Sequence, residues 1–220
     1  MNDKVKFTAS YSGGKDGALA LYRAIKSGHE PISLLTTYNE SVGCSWFHGV
    51  PTEVAGKVAE SMRLPLEWVK TGEGSAYARD FEAALTRLRK WGVRACVFGD
   101  IDIQLHYDWC ASRCKAAGLE SLFPLWNGGR RELVHEFIDA GFEAVITIVD
   151  TSRLSEKFLG KQLTRELVEE IALEGADICG ENGEYHTFVH DGPLFREPVK
   201  IQFGEATRRG HYAILPVLLV

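Results

Sequence analysis

The feature that most constrains this chain is a glycine-rich turn between a strand and a helix. Val5-Lys6-Phe7-Thr8-Ala9 alternates apolar and polar residues and reads as a strand. Ser12-Gly13-Gly14-Lys15-Asp16-Gly17 follows, and then Ala18 to Ile25, whose apolar face at Ala18, Leu21, Tyr22 and Ile25 predicts a helix. Glycines let a ligand approach the backbone closely, and the unpaired N–H groups of a first helical turn attract anions. Lys15 adds a positive charge. An ordinary β–α turn also carries glycines, but Ser and Lys in this strand–turn–helix setting favour phosphate binding. The string lacks both the Gly-x-x-x-x-Gly-Lys-Ser/Thr spacing and the Gly-x-Gly-x-x-Gly fingerprint.

Downstream, the pattern repeats as strand and helix. Strands are expected at Pro31–Thr37, Leu66–Val69, Arg94–Phe98 and Leu122–Trp126. Helices are expected around Val54–Met62, Phe81–Leu88 and Gln104–Ala117, with a loop from Glu40 to Pro51. Five such units predict an α/β fold with a five-stranded parallel sheet covered on both faces. Asn127-Gly128-Gly129-Arg130 breaks the alternation, which divides the chain into domains 1–126 and 127–220. The second, smaller α+β domain begins with a helix at Leu133–Ile138 and a strand at Ala144–Val149. A helix at Thr164–Glu174 follows. Val199–Gly204 and His211–Leu219 are expected to pair as a hairpin around Arg208-Arg209-Gly210.

In open parallel sheets, ligands bind beyond the carboxyl ends of the strands. That rule selects Thr36 and Thr37, where related folds read adenine through the backbone, and Gly99-Asp100 after the fourth strand. Asp100 either holds Mg²⁺ through water, orients a substrate, or satisfies the N–H groups of the next helix. His48, in the 40–51 loop, contacts phosphate or substrate, or is structural.

A second stretch is unusual: Cys179-Gly180-Glu181-Asn182-Gly183-Glu184-Tyr185-His186-Thr187. A β-turn explains Asn182-Gly183 but not the clustering of Glu181, Glu184, His186 and Thr187. The five cysteines are odd in number and form no Cys-x-x-Cys pair. His106, Cys110 and Cys114 share a helical spacing, which a half-buried helix with small thiols explains without a metal. A net charge of -5 argues against bulk nucleic-acid binding. No apolar run is long enough to span a membrane, and the first residues lack a signal-peptide core, so a cytoplasmic location is expected.

The first loop resembles the Ser-Gly-Gly-x-Asp-Ser loop of the N-type ATP pyrophosphatases, with Gly17 in place of the last Ser. The chain as a whole resembles the diphthine–ammonia ligase family within that superfamily. The resemblance rests on Ser12–Asp16, Phe47-His48, Phe98-Gly99-Asp100-Ile101, Pro124-Leu125-Trp126, Gly180–Thr187 and Asp191-Gly192-Pro193-Leu194-Phe195. It implies that the five-stranded parallel sheet is a nucleotide-binding one, Rossmann-like and of HUP type, and that the chain is an ATP-dependent ligase that adenylates a carboxylate and displaces AMP with ammonia.

The resemblance further implies that Ser12, Gly13, Gly14, Lys15, Asp16, Gly17, Thr36, Thr37, His48, Gly99 and Asp100 bind ATP. Asp16 and Asp100 would hold Mg²⁺. Lys15, Glu181, Glu184 and His186 would be catalytic, and Asn182, Gly183, Tyr185 and Thr187 would meet the substrate, with the second string facing the ATP cleft. The implied acceptor is the diphthine side chain of elongation factor 2 or a small carboxylic acid, and a homo-oligomer is left open. Two other readings remain: a nucleotide-binding sensor without turnover, which Gly17 supports, and an ATP pyrophosphatase acting on tRNA.

Overall fold

The computed structural model describes residues 4–39, 43–45, 48–72 and 75–220. Two compact units emerge. The first comprises Met1–Ser12, Asp16–Phe47 and Arg63–Asn127; the second comprises Gly13–Lys15, His48–Met62 and Gly128–Val220. The glycine-rich loop is therefore divided, its middle three residues belonging with the second unit.

The elements run in chain order from β1 (Lys6–Ser10) through α1 (Lys15–Lys26), β2 (Glu30–Asn39) and β3 (Cys44–Ser45). Next come α2 (Thr52–Ser61), which belongs to the second unit, β4 (Leu66–Lys70), α3 (Ser75–Lys90), β5 (Ala95–Val97), α4 (Gln104–Ala117) and β6 (Glu120–Leu122). In the first unit β4 and β1 flank β2, β5 lies beside β1, and β6 beside β5, all parallel. These are the five expected strands. A sixth, β3, pairs antiparallel with the end of β2 through Tyr38 and Asn39, inside the stretch expected to be loop.

One expected strand is displaced. The apolar run Leu122–Trp126 suggested β6, but pairing ends at Leu122. Pro124 lacks the N–H a ladder needs, and residues 124–127 turn instead. The buried face of α1 is also wider than its spacing implied. Ala18, Leu19, Ala20, Leu21 and Ala24 are buried, while Tyr22 and Ile25 are only half-buried. This suits a helix lying against a sheet interior. Leu35, Phe81, Leu85, Leu88, Cys96, Phe98 and Cys114 form one core cluster, binding β2, β5, α3 and α4 together. Gly118 caps α4 in the left-handed conformation, at φ 72°.

The second unit continues with α5 (Arg130–Asp139), β7 (Glu143–Asp150), a 3₁₀ turn at Glu156–Phe158, α6 (Arg165–Leu173) and β8 (Tyr185–Asp191). Four short strands complete it: β9 (Ile201–Phe203), β10 (Thr207–Arg209), β11 (Tyr212–Ile214) and β12 (Val217–Leu219). Its main sheet is antiparallel, in the order β10-β11-β7-β8. The expected two-strand hairpin is thus split. β10 and β11 turn around Gly210, but β12 pairs with β9 in a separate ribbon. Thr164 starts α6 by accepting the Leu167 N–H, the bond a helix N-cap supplies. No helix among the described residues is long and apolar enough to cross a membrane.

Candidate functional site

In the second unit the 179–187 string begins as a turn organised by Asp177, a residue the sequence did not single out. One Asp177 carboxylate oxygen accepts the Cys179 N–H at 3.0 Å, and the other accepts the Glu181 N–H at 3.0 Å. Arg130 donates to the latter oxygen at 2.5 Å. An Asp two residues before the amide it binds is an Asx-turn signature, so a signal was present. Gly180 then takes φ +69°, and a Cβ there would lie 2.9 Å from the Tyr185 carbonyl oxygen. Only glycine suits that close approach. Tyr185 is buried, and its hydroxyl donates to the Ile178 carbonyl at 2.6 Å.

From Tyr185 the string becomes β8, and this strand holds the middle of the glycine-rich loop. The Val189 N–H donates to the Gly13 carbonyl at 2.8 Å. The Lys15 N–H donates to the Thr187 hydroxyl at 3.1 Å. Lys15 is 5% exposed, with its ammonium 5.8 Å from the Tyr185 ring centre. A cation over an aromatic face is attracted by the ring quadrupole. Gly13, at φ +93°, packs on the Phe188 ring.

His48 closes on the loop from another segment of the same unit. A Cβ on Gly14 would lie 2.7 Å from the His48 Nε2. The His48 and His186 rings meet edge-on at 5.0 Å. The His48 Nδ1 is buried and has no hydrogen-bond partner among the described residues. Burial, then the charges of His186 and Lys15, push its pKa down to about 3. The imidazole is therefore neutral near pH 7, and a neutral ring can accept a proton or a hydrogen bond. Phe47, its neighbour in the sequence signature, lies outside the described residues.

Glu184 is 5% exposed. Its Oε1 accepts from the Asn182 amide at 3.2 Å, while its Oε2 is buried without a partner among the described residues. Asn182 is exposed on the turn, and its carbonyl accepts from Arg153 at 3.1 Å. Gly183, at φ +86°, closes the turn with its N–H on the Gly180 carbonyl. Glu181 is half-buried on that turn. Lys15, Tyr185, His186, Thr187 and His48 thus cluster at the loop, whereas Glu181, Asn182 and Gly183 form the preceding turn.

In the first unit a second group surrounds the start of α1. Ser12 is half-buried after β1. Gly99 approaches so closely that a Cβ would lie 2.7 Å from the Asp16 carbonyl carbon and 2.8 Å from the Gly17 nitrogen. Gly17 is less constrained: a Cβ there would find its nearest neighbour at 3.6 Å. The Thr36 hydroxyl donates to the Tyr11 carbonyl at 2.5 Å, and the Thr37 hydroxyl is 3.2 Å from that of Tyr77. Burial, with the Asp16 charge adding to it, raises the Asp100 carboxyl above its ordinary range; His106 and the Cys110 thiol oppose the rise. Cys110 donates to Asp100 at 3.7 Å.

The remaining signature residues build structure. Arg23 donates to the Pro124 carbonyl at 2.8 Å, and Leu125 is fully buried. A Cβ on Gly192 would run into the Phe142 ring. Along α4, His106 is exposed while Cys110 and Cys114 are buried. Among the described residues no three His, Cys, Asp or Glu side chains are placed to hold a metal.

Comparison with known proteins gives the family of the chain. A family model described as the diphthamide synthase N-terminal domain matches residues 5–121, and one described as the C-terminal domain matches residues 130–217. The diphthine–ammonia ligase of Bos taurus is 28% identical over 97% of this chain and 89% of its own length. That of Homo sapiens is 27% identical with the same coverage. A solved chain from Methanocaldococcus jannaschii, titled a predicted subunit of tRNA methyltransferase, superposes with a TM-score of 0.46. It is 16% identical over 84% of this chain and 96% of its own. With the two family domains matched in order, the loop in the first and the Gly180–Thr187 string in the second, the chain belongs to the diphthamide synthase family.

Proposed function

We propose that this chain is an ATP-dependent, AMP-forming amide ligase that joins ammonia to a carboxylate. The observation that carries the reading is the hydrogen bond from the Lys15 amide to Thr187. It joins the two sequence features that have the composition of a reactive site. Relatives named diphthine–ammonia ligases add direct support and do not favour the sensor or tRNA readings.

A carboxylate is a poor electrophile. Its oxygen attacks the α-phosphorus of ATP, and pyrophosphate leaves. Ammonia then attacks the acyl carbon of the mixed anhydride, AMP leaves with the C–O electron pair, and a proton is released as the amide forms. Catalysis of this kind is mostly positioning and charge stabilisation. The Ser12–Gly17 loop offers main-chain N–H groups and the Lys15 ammonium to the phosphates. Thr36, Thr37 and Gly99 serve the nucleotide, while Glu181, Glu184, His186, Asn182, Gly183, Tyr185 and Thr187 serve the acceptor and ammonia. Neutral His48 contributes a ring nitrogen beside the loop.

Asp16 and Asp100 fit Mg²⁺ by their chemistry. Two hard carboxylates close enough to repel suit an ion that binds one or two carboxylates together with substrate phosphates. Mg²⁺ would neutralise charge on the leaving pyrophosphate. The acceptor we assign is the diphthine side chain of elongation factor 2 or a small acid of similar chemistry.

The test is incubation with ATP, Mg²⁺, ammonium and each candidate acceptor, following AMP and pyrophosphate. Acceptor-dependent release of both is expected. ADP as the product would sink the adenylation step. Lys15→Ala should lose ATP affinity, whereas Glu184→Ala should retain it and lose acceptor-dependent turnover.

A further inference from the structure

We infer that Glu184 is the seat of the ammonium ion that supplies nitrogen to the reaction. This assignment deepens the ligase reading and rests on it.

Among the described residues Glu184 presents an acceptor without a donor. Buried polar groups are almost always hydrogen-bonded, and each exception needs a physical reason. Glu184 Oε2 is buried and unpartnered, on a side chain with only 5% of its surface exposed. Its companion Oε1 accepts from the Asn182 amide at 3.2 Å. A carboxylate offers about four acceptor positions, so most of its capacity is open.

The backbone of Glu184 is held in place. The Glu184 carbonyl accepts the Asp150 N–H at 2.9 Å, tying the residue to the end of β7. The next residue is Tyr185, whose ring carries the Lys15 ammonium, and the residue after that is His186, which meets His48. A carboxylate on a backbone tied to β7, two residues before the His186 that meets His48, and with one oxygen open, is suited to a small cation.

The occupant must bring its own donors to an oxygen that solvent barely reaches. Ammonium meets both demands: it carries one positive charge and four N–H donors, and it has no substituent to accommodate. Mg²⁺ suits the place less well, since it prefers octahedral oxygen coordination and keeps several waters. Asn182 has a part in the same arrangement, because its donor turns Oε1 and so directs Oε2. Asp177 holds the amide of Glu181, the residue before Asn182.

The test reads binding without turnover. The full chain is melted in rising ammonium chloride, with sodium chloride reduced to hold the ionic strength, and tetramethylammonium chloride as the bulky control. The melting temperature should rise and saturate with ammonium only. Glu184→Gln keeps the shape of the side chain and removes the charge, so its apparent ammonium affinity should fall at least tenfold. Should that variant melt too low to use, Glu184→Asp serves, with a smaller loss expected. A thallium(I) soak of wild-type crystals should place the anomalous peak on Glu184 Oε2. Identical ammonium curves for wild type and Glu184→Gln, or a thallium peak elsewhere, overturn the assignment. A wild-type protein that binds ammonium at Glu184 but releases no AMP refutes the ligase reading alone. One that releases AMP with Glu184→Gln unimpaired in ammonium use refutes this inference alone.

Discussion

The main-chain N–H of Lys15 donates to the side-chain oxygen of Thr187 at 3.1 Å, across 172 positions of sequence. An amide of the first helical turn is satisfied by the strand into which the second signature runs. Thr187→Val keeps the shape and removes the acceptor. Loss of one buried partner costs about 1–3 kcal/mol. The variant should melt several degrees lower and bind ATP roughly tenfold more weakly, whereas Thr187→Ser should recover most of both. Calorimetric melting and ATP titration of the three proteins decide it, and equal ATP affinity in all three would remove Thr187 from the loop's support.

Gly17 and Gly99 make opposite predictions. The Gly17 position has ordinary van der Waals space, so the Ser that related loops carry there fits without displacement. Gly17→Ser should be neutral or stabilising by up to about 0.5 kcal/mol, because glycine is the poorer helix residue. Gly99→Ala places a methyl 2.7 Å from the Asp16 backbone, where nothing flexible can yield. Forced insertion of this kind costs about 1–3 kcal/mol. Urea unfolding of both variants separates them. A destabilised Gly17→Ser would mean that the loop has adapted to its glycine.

Much of this was legible in the residues. The loop stood out because Ser, two glycines and Lys between a strand and a helix bring backbone N–H groups and a cation to one point. The Gly180–Thr187 string stood out because a turn does not need its polar cluster. β8 was hidden by that same polarity: Tyr185-His186-Thr187 reads as a reactive string before it reads as a strand. The pairing of β12 with β9 was not visible, since three-residue strands get their register from neighbours distant in sequence. The orphan oxygen of Glu184 was beyond reach too, because burial without a partner is a property of packing and not of composition.

Asp177 should govern the turn without touching substrate. Its two oxygens hold the Cys179 and Glu181 amides, and Arg130 pairs with it. Asp177→Asn keeps one acceptor and Asp177→Ala keeps none. The alanine variant should lose about 2–4 kcal/mol, since a largely buried charge pair and two amide bonds go together. Hydrogen exchange should show faster amides at residues 179–184 in both variants and leave β5 protected. Unchanged exchange in that turn would place its rigidity elsewhere.

His48 predicts how stability responds to acid. Its folded pKa of about 3 lies below the ordinary value of 6.5, so the unfolded chain takes up the proton first. The stability tied to the neutral ring is complete above about pH 6.5 and is lost as the pH falls toward 3. Over that range each pH unit costs about 1.4 kcal/mol from this residue. His186 and Lys15 stand beside the ring, and neither supplies a negative charge to offset a proton on it. His48→Gln removes the titration while keeping a polar side chain of similar reach. Between pH 6.5 and 5.5, above the range where most carboxylates protonate, wild type should lose about 1 kcal/mol more than the variant. Urea unfolding at four pH values in that interval measures the difference, and parallel profiles would show that the ring is solvated rather than held neutral against Gly14.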